Sequence, residues 1–225
     1  MSKKILALGF TIIALAACEK APGTTTDGYS TSSAATMNSS TSSSLDAMTK
    51  SSKSGTWTWD GTIVSGTHIV TLKTSKGDVT LELNADAAPK TVTSFMALAS
   101  SGYYNGLTFH RVIPGFMIQG GDPNGNGTGG RSIFGDTFED EINATSALYK
   151  TGYKAGVIAM ANRGPNTNGS QFFIMDADYP LPPNYTIFGH VTAGQEVVHS
   201  IATVDRDPSN DMPTKAVTFS VTIVK

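Results

Sequence analysis

Residues 109–121, FHRVIPGFMIQGG, set an arginine and a glutamine into an otherwise apolar stretch. Pro114 and Gly115 at its centre are typical of a tight turn, so the stretch is predicted to form a β-hairpin. With the turn centred near Gly115, Arg111 and Gln119 lie opposite each other and project from the same face of the sheet. Two interpretations are open at this point: both side chains face water, as polar side chains on an isolated strand usually do, or both serve a site.

Residues 61–225 are predicted to form one β-rich domain. Eight strands are indicated: a hairpin within HIVTLKTSKGDVTLELN, strands near 107–113, 116–120, 155–161, 171–175 and 186–191, and the alternating AVTFSVTIV near the C-terminus. Two amphipathic helices are indicated, one from Pro89 to about Gly102 and one within GQEVVHSIATV. Many short strands and two helices favour a mainly β fold, either a sandwich or a closed barrel with helical caps.

The first 17 residues have the pattern of an export signal. Lys3 and Lys4 precede an apolar run from Ile5 to Ala17, which is shorter than a membrane span. The run ends in LAAC, and its Cys18 is the only cysteine of the chain, so no intramolecular disulfide is expected. The pattern resembles a bacterial lipoprotein signal, in which Cys18 becomes the lipidated first residue. An ordinary secretory signal with an incidental cysteine is the alternative.

Residues 18–60 are predicted to be a disordered tether. Between Thr24 and Thr56, 19 of 33 residues are serine or threonine. Such a composition buries too little apolar surface to offset the entropy of an ordered chain. We therefore expect an exported domain, anchored through Cys18 to the outer face of a bacterial cell membrane or within the cell envelope.

Composition and motifs argue against several classes of function. The formal net charge of −2 is small and does not suggest a nucleic-acid partner, so none is expected. GNGTGG at 125–130 matches the glycine pattern of a phosphate-binding loop, but it follows a GGDPN turn and precedes no helical pattern. The four histidines lack ligand spacing, so neither a metal nor a cofactor is expected. The acids at 139–141 are expected to form a solvated face.

Two segments are informative when they are taken together. They are FHRVIPGFMIQGGD at 109–122 and GVIAMANRGPNTNGSQFFI at 156–174. Together they resemble the cyclophilin family of peptidyl-prolyl cis-trans isomerases. GNGTGG, FEDE and TIFGHV stand in the family's order and spacing, and the resemblance covers roughly residues 66–225. Together with the export signal at residues 1–17, the resemblance indicates a bacterial lipoprotein form of this family. It implies a closed eight-stranded antiparallel barrel capped by two α-helices, with an outer groove that binds X-Pro peptides.

The resemblance also implies roles for residues at matching positions. Arg111 is implied to be the catalytic residue. The substrate-binding residues are implied to be Phe116, Met117 and Phe173 in the proline pocket, Leu181 at its rim, Gln119 and Asn162 on the peptide main chain, Ala161 and Gln171 in the adjoining groove, and Tyr185 where many members have histidine.

The reaction explains the absence of other catalytic motifs. Rotation about an X-Pro bond makes and breaks no covalent bond, so it requires no nucleophile, metal or cofactor. The prolyl nitrogen regains its lone pair in the twisted state, and a fixed guanidinium donor stabilises that state more than the planar one. This favours the functional interpretation of Arg111.

One departure from the family pattern concerns drug binding. Many members have a tryptophan before the pocket-rim leucine, whereas here Pro180 precedes Leu181 in a segment one residue shorter. We therefore expect weak binding of cyclosporin. The predicted function is an isomerase, expected to be a monomer, that assists folding of exported, proline-containing polypeptides. The alternative is a membrane-tethered module or chaperone that binds proline-rich segments with little turnover.

Overall fold

The computed structural model describes residues 60–225. The chain divides into two units, Met1–Lys50 and Ser51–Lys225, and the described residues all belong to the second. The predictions for the signal 1–17, for Cys18 and for almost the whole tether 18–60 therefore lie outside the described residues. Within residues 60–225, no helix is long and apolar enough to cross a membrane.

Nine strands and three helices make up the described part of the chain. The strands are β1 (Thr67–Thr74), β2 (Gly77–Asn84), β3 (Leu107–Thr108), β4 (Arg111–Ile113), β5 (Met117–Gly120), β6 (Val157–Met160), β7 (Phe172–Met175), β8 (Ile187–Ala193) and β9 (Thr218–Ile223). The helices are α1 (Pro89–Ser100), α2 (Ala147–Thr151) and α3 (Gln195–Ala202). All strands join one antiparallel sheet in the order β3-β9-β1-β2-β8-β6-β7-β5-β4.

The strand predicted at 107–113 divides in two, which is why nine strands replace the expected eight. The chain changes partner at Phe109 and His110. The amide of Phe109 donates to the carbonyl of Val217 at 3.0 Å, next to β9, and the amide of His110 donates to the carbonyl of Gln119 at 3.0 Å, on β5. β3 and β4 are consecutive in the chain, yet they stand at opposite ends of the strand order. This short segment therefore pairs with both ends of the sheet.

Three helices are present in residues 60–225 where two were predicted. Helix α1 begins at Pro89, as expected, and α3 buries Val198 and Ile201. The additional helix, α2, has five residues, with the side chain of Ser146 accepting the amide of Tyr149 at its start and Gly152 at its end. Five residues are too short to show a helical hydrophobic stripe, so the sequence pattern did not indicate α2.

Glu141, the last of the three acids at 139–141, has a structural role rather than facing only water, which corrects the expectation for that residue, while Glu139 is exposed as expected. The position before α1 is Ala88, whose side chain cannot cap the helix. Glu141 performs this role from a distant segment, because its carboxylate accepts the amides of Lys90 at 2.9 Å and Thr91 at 2.8 Å. Glu139 pairs with the ammonium of Lys90 at the surface.

The strands β5, β6 and β7 are covered on both faces. Alternate residues on one face join the main core, in which the rings of Tyr104 and Phe172 contact each other and both contact Phe95 and Phe219. The opposite face carries a second apolar cluster of Met117, Tyr153, Val157, Ala159, Phe173, Met175 and Ile187. This second cluster forms the floor of the candidate active site.

Candidate active site

Arg111 and Gln119 occupy directly opposed positions on β4 and β5. The pairing follows from the turn between them, in which Gly115 takes a φ of 70° and the amide of Phe116 donates to Ile113 at 3.1 Å. The register predicted from the position of this turn is therefore confirmed. Because opposed residues share a face, the guanidinium and the amide project to the same side of the sheet.

Gln119 is held in place by a chain of side-chain hydrogen bonds. Its amide nitrogen donates to the amide oxygen of Gln171 at 3.0 Å. The amide nitrogen of Gln171 in turn donates to the carbonyls of Gly127 at 3.0 Å and Gly129 at 2.8 Å. The GNGTGG segment thus supports Gln171 through two backbone carbonyls. It does not have the strand and helix of a phosphate-binding loop around it.

One cavity of about 140 Å³ gathers nine of the ten residues predicted for the active site. They are Arg111, Phe116, Met117, Gln119, Ala161, Asn162, Phe173, Leu181 and Tyr185. The tenth, Gln171, lines a neighbouring cavity of about 90 Å³, which shares Gln119, Ala161 and Asn162 with the first. The structure therefore brings the predicted residues together, and their individual roles remain predictions.

Aromatic rings form the walls of the larger cavity. Phe173 and Tyr185 meet edge to face, with ring centroids 5.4 Å apart and planes at 89°. Phe116 packs against Tyr179, with centroids 4.5 Å apart. Met117 and Phe173 are almost fully buried, whereas Phe116, Leu181 and Tyr185 are partly exposed around them. An apolar floor with a partly open rim suits a pyrrolidine ring.

Two tyrosines in or next to α2, Tyr149 and Tyr153, support this wall, and no motif in the sequence indicates either of them. The hydroxyl of Tyr153 donates to the carbonyl of Tyr185 at 2.8 Å and accepts its amide at 3.1 Å. The hydroxyl of Tyr149 accepts the amide of Ile187 at 2.9 Å. Burial raises the pKa of Tyr153 to about 12, so its hydroxyl remains protonated at neutral pH.

The loop after β6 is fixed by Asp140 and by its own turns. The side-chain amide of Asn162 donates to the carbonyl of Asn184 at 2.8 Å, which joins two sides of the groove. Asp140 accepts the amide of Asn166 at 2.9 Å and the side-chain amide of Asn168 at 2.8 Å. The second acid of the FEDE segment therefore orders the loop that carries Asn162.

Two further groups lie next to Arg111. The carboxylate of Asp211 comes within 3.7 Å of the Nε atom of Arg111. His110 is buried on the other face, and neither ring nitrogen has a hydrogen-bond partner within the described part of the chain. Burial lowers the pKa of His110 below its ordinary value of 6.5, opposed in part by the nearby charge of Asp122.

No group of three or more His, Cys, Asp or Glu side chains within residues 60–225 is arranged to hold a metal ion.

A sequence model of the family described as cyclophilin type peptidyl-prolyl cis-trans isomerase/CLD matches residues 69–224. The chain belongs to the cyclophilin family. Membership makes it a peptidyl-prolyl cis-trans isomerase with the cyclophilin fold, a mainly β structure with a curled antiparallel sheet.

Two proteins named as peptidyl-prolyl cis-trans isomerases resemble the chain over most of their own length. Peptidyl-prolyl cis-trans isomerase ppi1 of Schizosaccharomyces pombe is 52% identical over 145 residues, which cover 64% of this chain and 90% of the relative. Peptidyl-prolyl cis-trans isomerase-like 1 of Neurospora crassa is 48% identical over 157 residues, which cover 69% of this chain and 94% of the relative.

A crystal structure of a cyclophilin-type isomerase from Cryptosporidium parvum superposes with a TM-score of 0.66 at 38% identity, covering 71% of this chain and 99% of that one. The same protein has been solved in the presence of the dipeptide Ala-Pro, with a TM-score of 0.65.

Proposed function

We propose that Arg111 catalyses rotation of X-Pro bonds by donating a hydrogen bond to the prolyl nitrogen in the twisted state. The observation that carries the proposal is the composition of one cavity: Arg111 lines it together with the apolar side chains of Phe116, Met117 and Phe173. A proline ring seated on those side chains lies next to the only guanidinium among the residues that line the cavity.

The magnitude of the barrier indicates how much the site must contribute. The X-Pro bond rotates over about 20 kcal/mol because the C–N resonance must be broken. An acceleration of about five decades requires a transition state stabilised by roughly 7 kcal/mol. One preorganised donor in a partly dry site contributes roughly 3–4 kcal/mol of this. Seating the ring and the peptide main chain supplies the remainder by orientation and by excluding water.

Arginine suits this role better than other donors. Its guanidinium stays charged at any physiological pH and its planar fork is rigid. The side chain of Arg111 is 43% exposed, so a peptide can reach it from the groove. Gln119, positioned by Gln171, and Asn162, positioned by its turn, offer amide groups to the peptide backbone on either side of the proline.

The experiment that tests catalysis is NMR exchange spectroscopy on an Ala-Pro peptide with catalytic amounts of the protein. We expect accelerated exchange between the cis and trans signals of the peptide. The alternative function, a module that holds proline-rich segments, gives shifts of groove resonances without accelerated exchange. That second pattern would overturn the proposal.

We also propose that the protein acts on exported proteins while anchored by lipid at Cys18. This depends on the sequence pattern of residues 1–18, in which a short apolar run ends at the only cysteine of the chain. A single acyl chain binds a membrane reversibly, whereas two or more hold it stably. Fractionation of cells producing wild type or Cys18→Ser is the test. We expect wild type in the membrane fraction and the variant released or unprocessed; wild type in the soluble fraction with an unmodified Cys18 would contradict the proposal.

A further inference from the structure

Asp211 is shared between two arginines. Its Oδ2 atom lies 3.7 Å from Nε of Arg111, and its Oδ1 atom accepts a hydrogen bond from Nε of Arg206 at 3.1 Å. The side chain of Asp211 is 28% exposed, so the three charges are only partly screened by water. Two guanidinium groups and one carboxylate leave the cluster with a net positive charge.

The backbone of Asp211 is tied to the catalytic strand as well. Its carbonyl accepts the amide of Val112, the residue after Arg111, at 2.9 Å. Its own amide donates to the carbonyl of Asp207 at 2.8 Å. Asp211 adopts a φ of 59°, which is uncommon for residues other than glycine, asparagine and aspartate. These two backbone hydrogen bonds therefore hold Asp211 against β4.

We propose that Asp211 is a positioning residue for Arg111, an inference that rests on the proposed catalytic role of that arginine. The carboxylate attracts the Nε edge of the guanidinium. The edge between the two terminal nitrogens is then turned away from Asp211 and can donate to a substrate. Hydrogen bonds of this type measure about 2.7–3.2 Å, so the 3.7 Å contact is an electrostatic one that orients the group without locking it.

Arg206 makes this arrangement compatible with catalysis. A carboxylate beside a catalytic guanidinium reduces the positive potential that the substrate meets. Arg206 offsets that loss, because its guanidinium donates a hydrogen bond to the Oδ1 atom of Asp211 and its positive charge partly neutralises the carboxylate. Asp211 thus orients Arg111 while the potential at the groove stays positive.

Asp211→Asn is the first test. Asparagine has the size of aspartate, keeps the backbone carbonyl that accepts Val112 and tolerates a positive φ, so the losses are the negative charge and one acceptor oxygen. We expect kcat/KM on an Ala-Pro peptide to fall roughly tenfold, mainly in kcat, since small misplacements of a catalytic group are costly while the proline pocket is unchanged. Asp207→Asn is the matched control: it removes a charge from the same loop, where Asp207 binds Ser209, and should leave kcat/KM at the wild-type value.

A double-mutant cycle separates positioning from a structural role. In an Arg111→Ala background, Asp211→Asn should cause no further loss of kcat/KM, because there is no guanidinium left to orient. The Nε–Hε NMR signal of Arg111 should also shift and broaden in the single variant. Asp211→Gly, which suits the positive φ and keeps the carbonyl, should repeat the loss if the asparagine variant fails to fold.

Three outcomes would overturn the inference. The first is unchanged kcat/KM in folded Asp211→Asn or Asp211→Gly while Arg111→Ala is strongly impaired, which leaves the proposed function intact. The second is an equal loss from Asp211→Asn with and without Arg111, which indicates a structural role. The third is full activity of Arg111→Ala, which refutes the proposed catalytic role and this inference together.

Discussion

The hydroxyl of Tyr153 makes two hydrogen bonds to the backbone of Tyr185, one to its carbonyl at 2.8 Å and one from its amide at 3.1 Å. A side chain from the region around α2 thereby fixes a residue that lines the groove. The rings of the two residues also meet edge to face, with centroids 6.2 Å apart. The wall of the candidate site therefore depends on Tyr153, which does not itself line the cavity.

Tyr153→Phe should raise the KM for an X-Pro peptide severalfold, because the backbone at Tyr185 loses both bonds and its ring is less firmly placed. The unfolding free energy should fall by about 1–3 kcal/mol, because the amide of Tyr185 is left unpaired and its carbonyl keeps only the longer bond from the hydroxyl of Tyr149 at 3.3 Å. Tyr104→Phe is the control, since Tyr104 makes a single bond to the Ser170 carbonyl at 3.2 Å in the main core. It should lose stability with an unchanged KM. Equal KM values for the two variants would contradict this account.

The buried His110 should make stability depend on pH. Burial lowers its pKa in the folded protein below 6.5, so below that pH the unfolded chain binds a proton that the folded protein excludes. The unfolding free energy should therefore fall as the pH is lowered from about 6.5 towards the folded-state pKa. His110→Phe should reduce this slope. Urea unfolding midpoints between pH 7 and 5 measure it, and identical slopes for the two proteins would refute the prediction.

Glu141 should contribute more to the free energy of unfolding than the nearby Glu139. Glu141→Ala removes the acceptor of two amides at the start of α1, and loss of a helix cap typically costs about 0.5–2 kcal/mol of unfolding free energy. Glu139→Ala removes only an exposed partner of Lys90, and such pairs contribute little. Urea unfolding of both variants decides the matter. A larger loss in Glu139→Ala would be inconsistent with the capping role.

Cyclosporin should inhibit this protein weakly. Pro180 stands where many cyclophilins have tryptophan, and proline has no side-chain N–H to donate. Tyr179 does not replace it, because its ring packs on Phe116 with centroids 4.5 Å apart. Loss of an aromatic hot spot commonly costs about 2 kcal/mol, which corresponds to roughly thirtyfold in affinity. Titration of the drug into the isomerase assay tests this, with Pro180→Trp expected to regain affinity. Half-inhibition of wild type at low nanomolar drug would disprove it.

The hairpin was predictable from the sequence because it is local. Pro114 and Gly115 specify a turn, and the turn position determines which residues oppose each other on β4 and β5. The remaining groove residues were predicted only through the family resemblance, because Phe173 and Leu181 are ordinary apolar residues without it. Their sequence positions alone contain no signal that they line one cavity.

The supporting groups could not be predicted, because their contacts join segments far apart in the chain. Tyr153 binds the backbone of Tyr185, and Asp211 reaches Arg111 from a loop about a hundred residues later. Helix α2 is too short for a periodic pattern, and the division of the strand at Phe109 depends on which partners the sheet supplies. Packing and distant hydrogen bonds determine these features.

The central claim is that the guanidinium of Arg111 stabilises the twisted peptide bond, and Arg111→Ala tests it most directly. The measurement is kcat/KM for an Ala-Pro peptide, with urea unfolding to establish that the partly exposed position tolerates alanine. We expect unfolding close to wild type and a fall in kcat/KM of roughly 100- to 1,000-fold, the usual effect of removing one preorganised donor. Arg111→Lys, which keeps the charge without the rigid fork, should recover only part of the loss. A folded Arg111→Ala protein that isomerises the peptide at the wild-type rate would contradict the account.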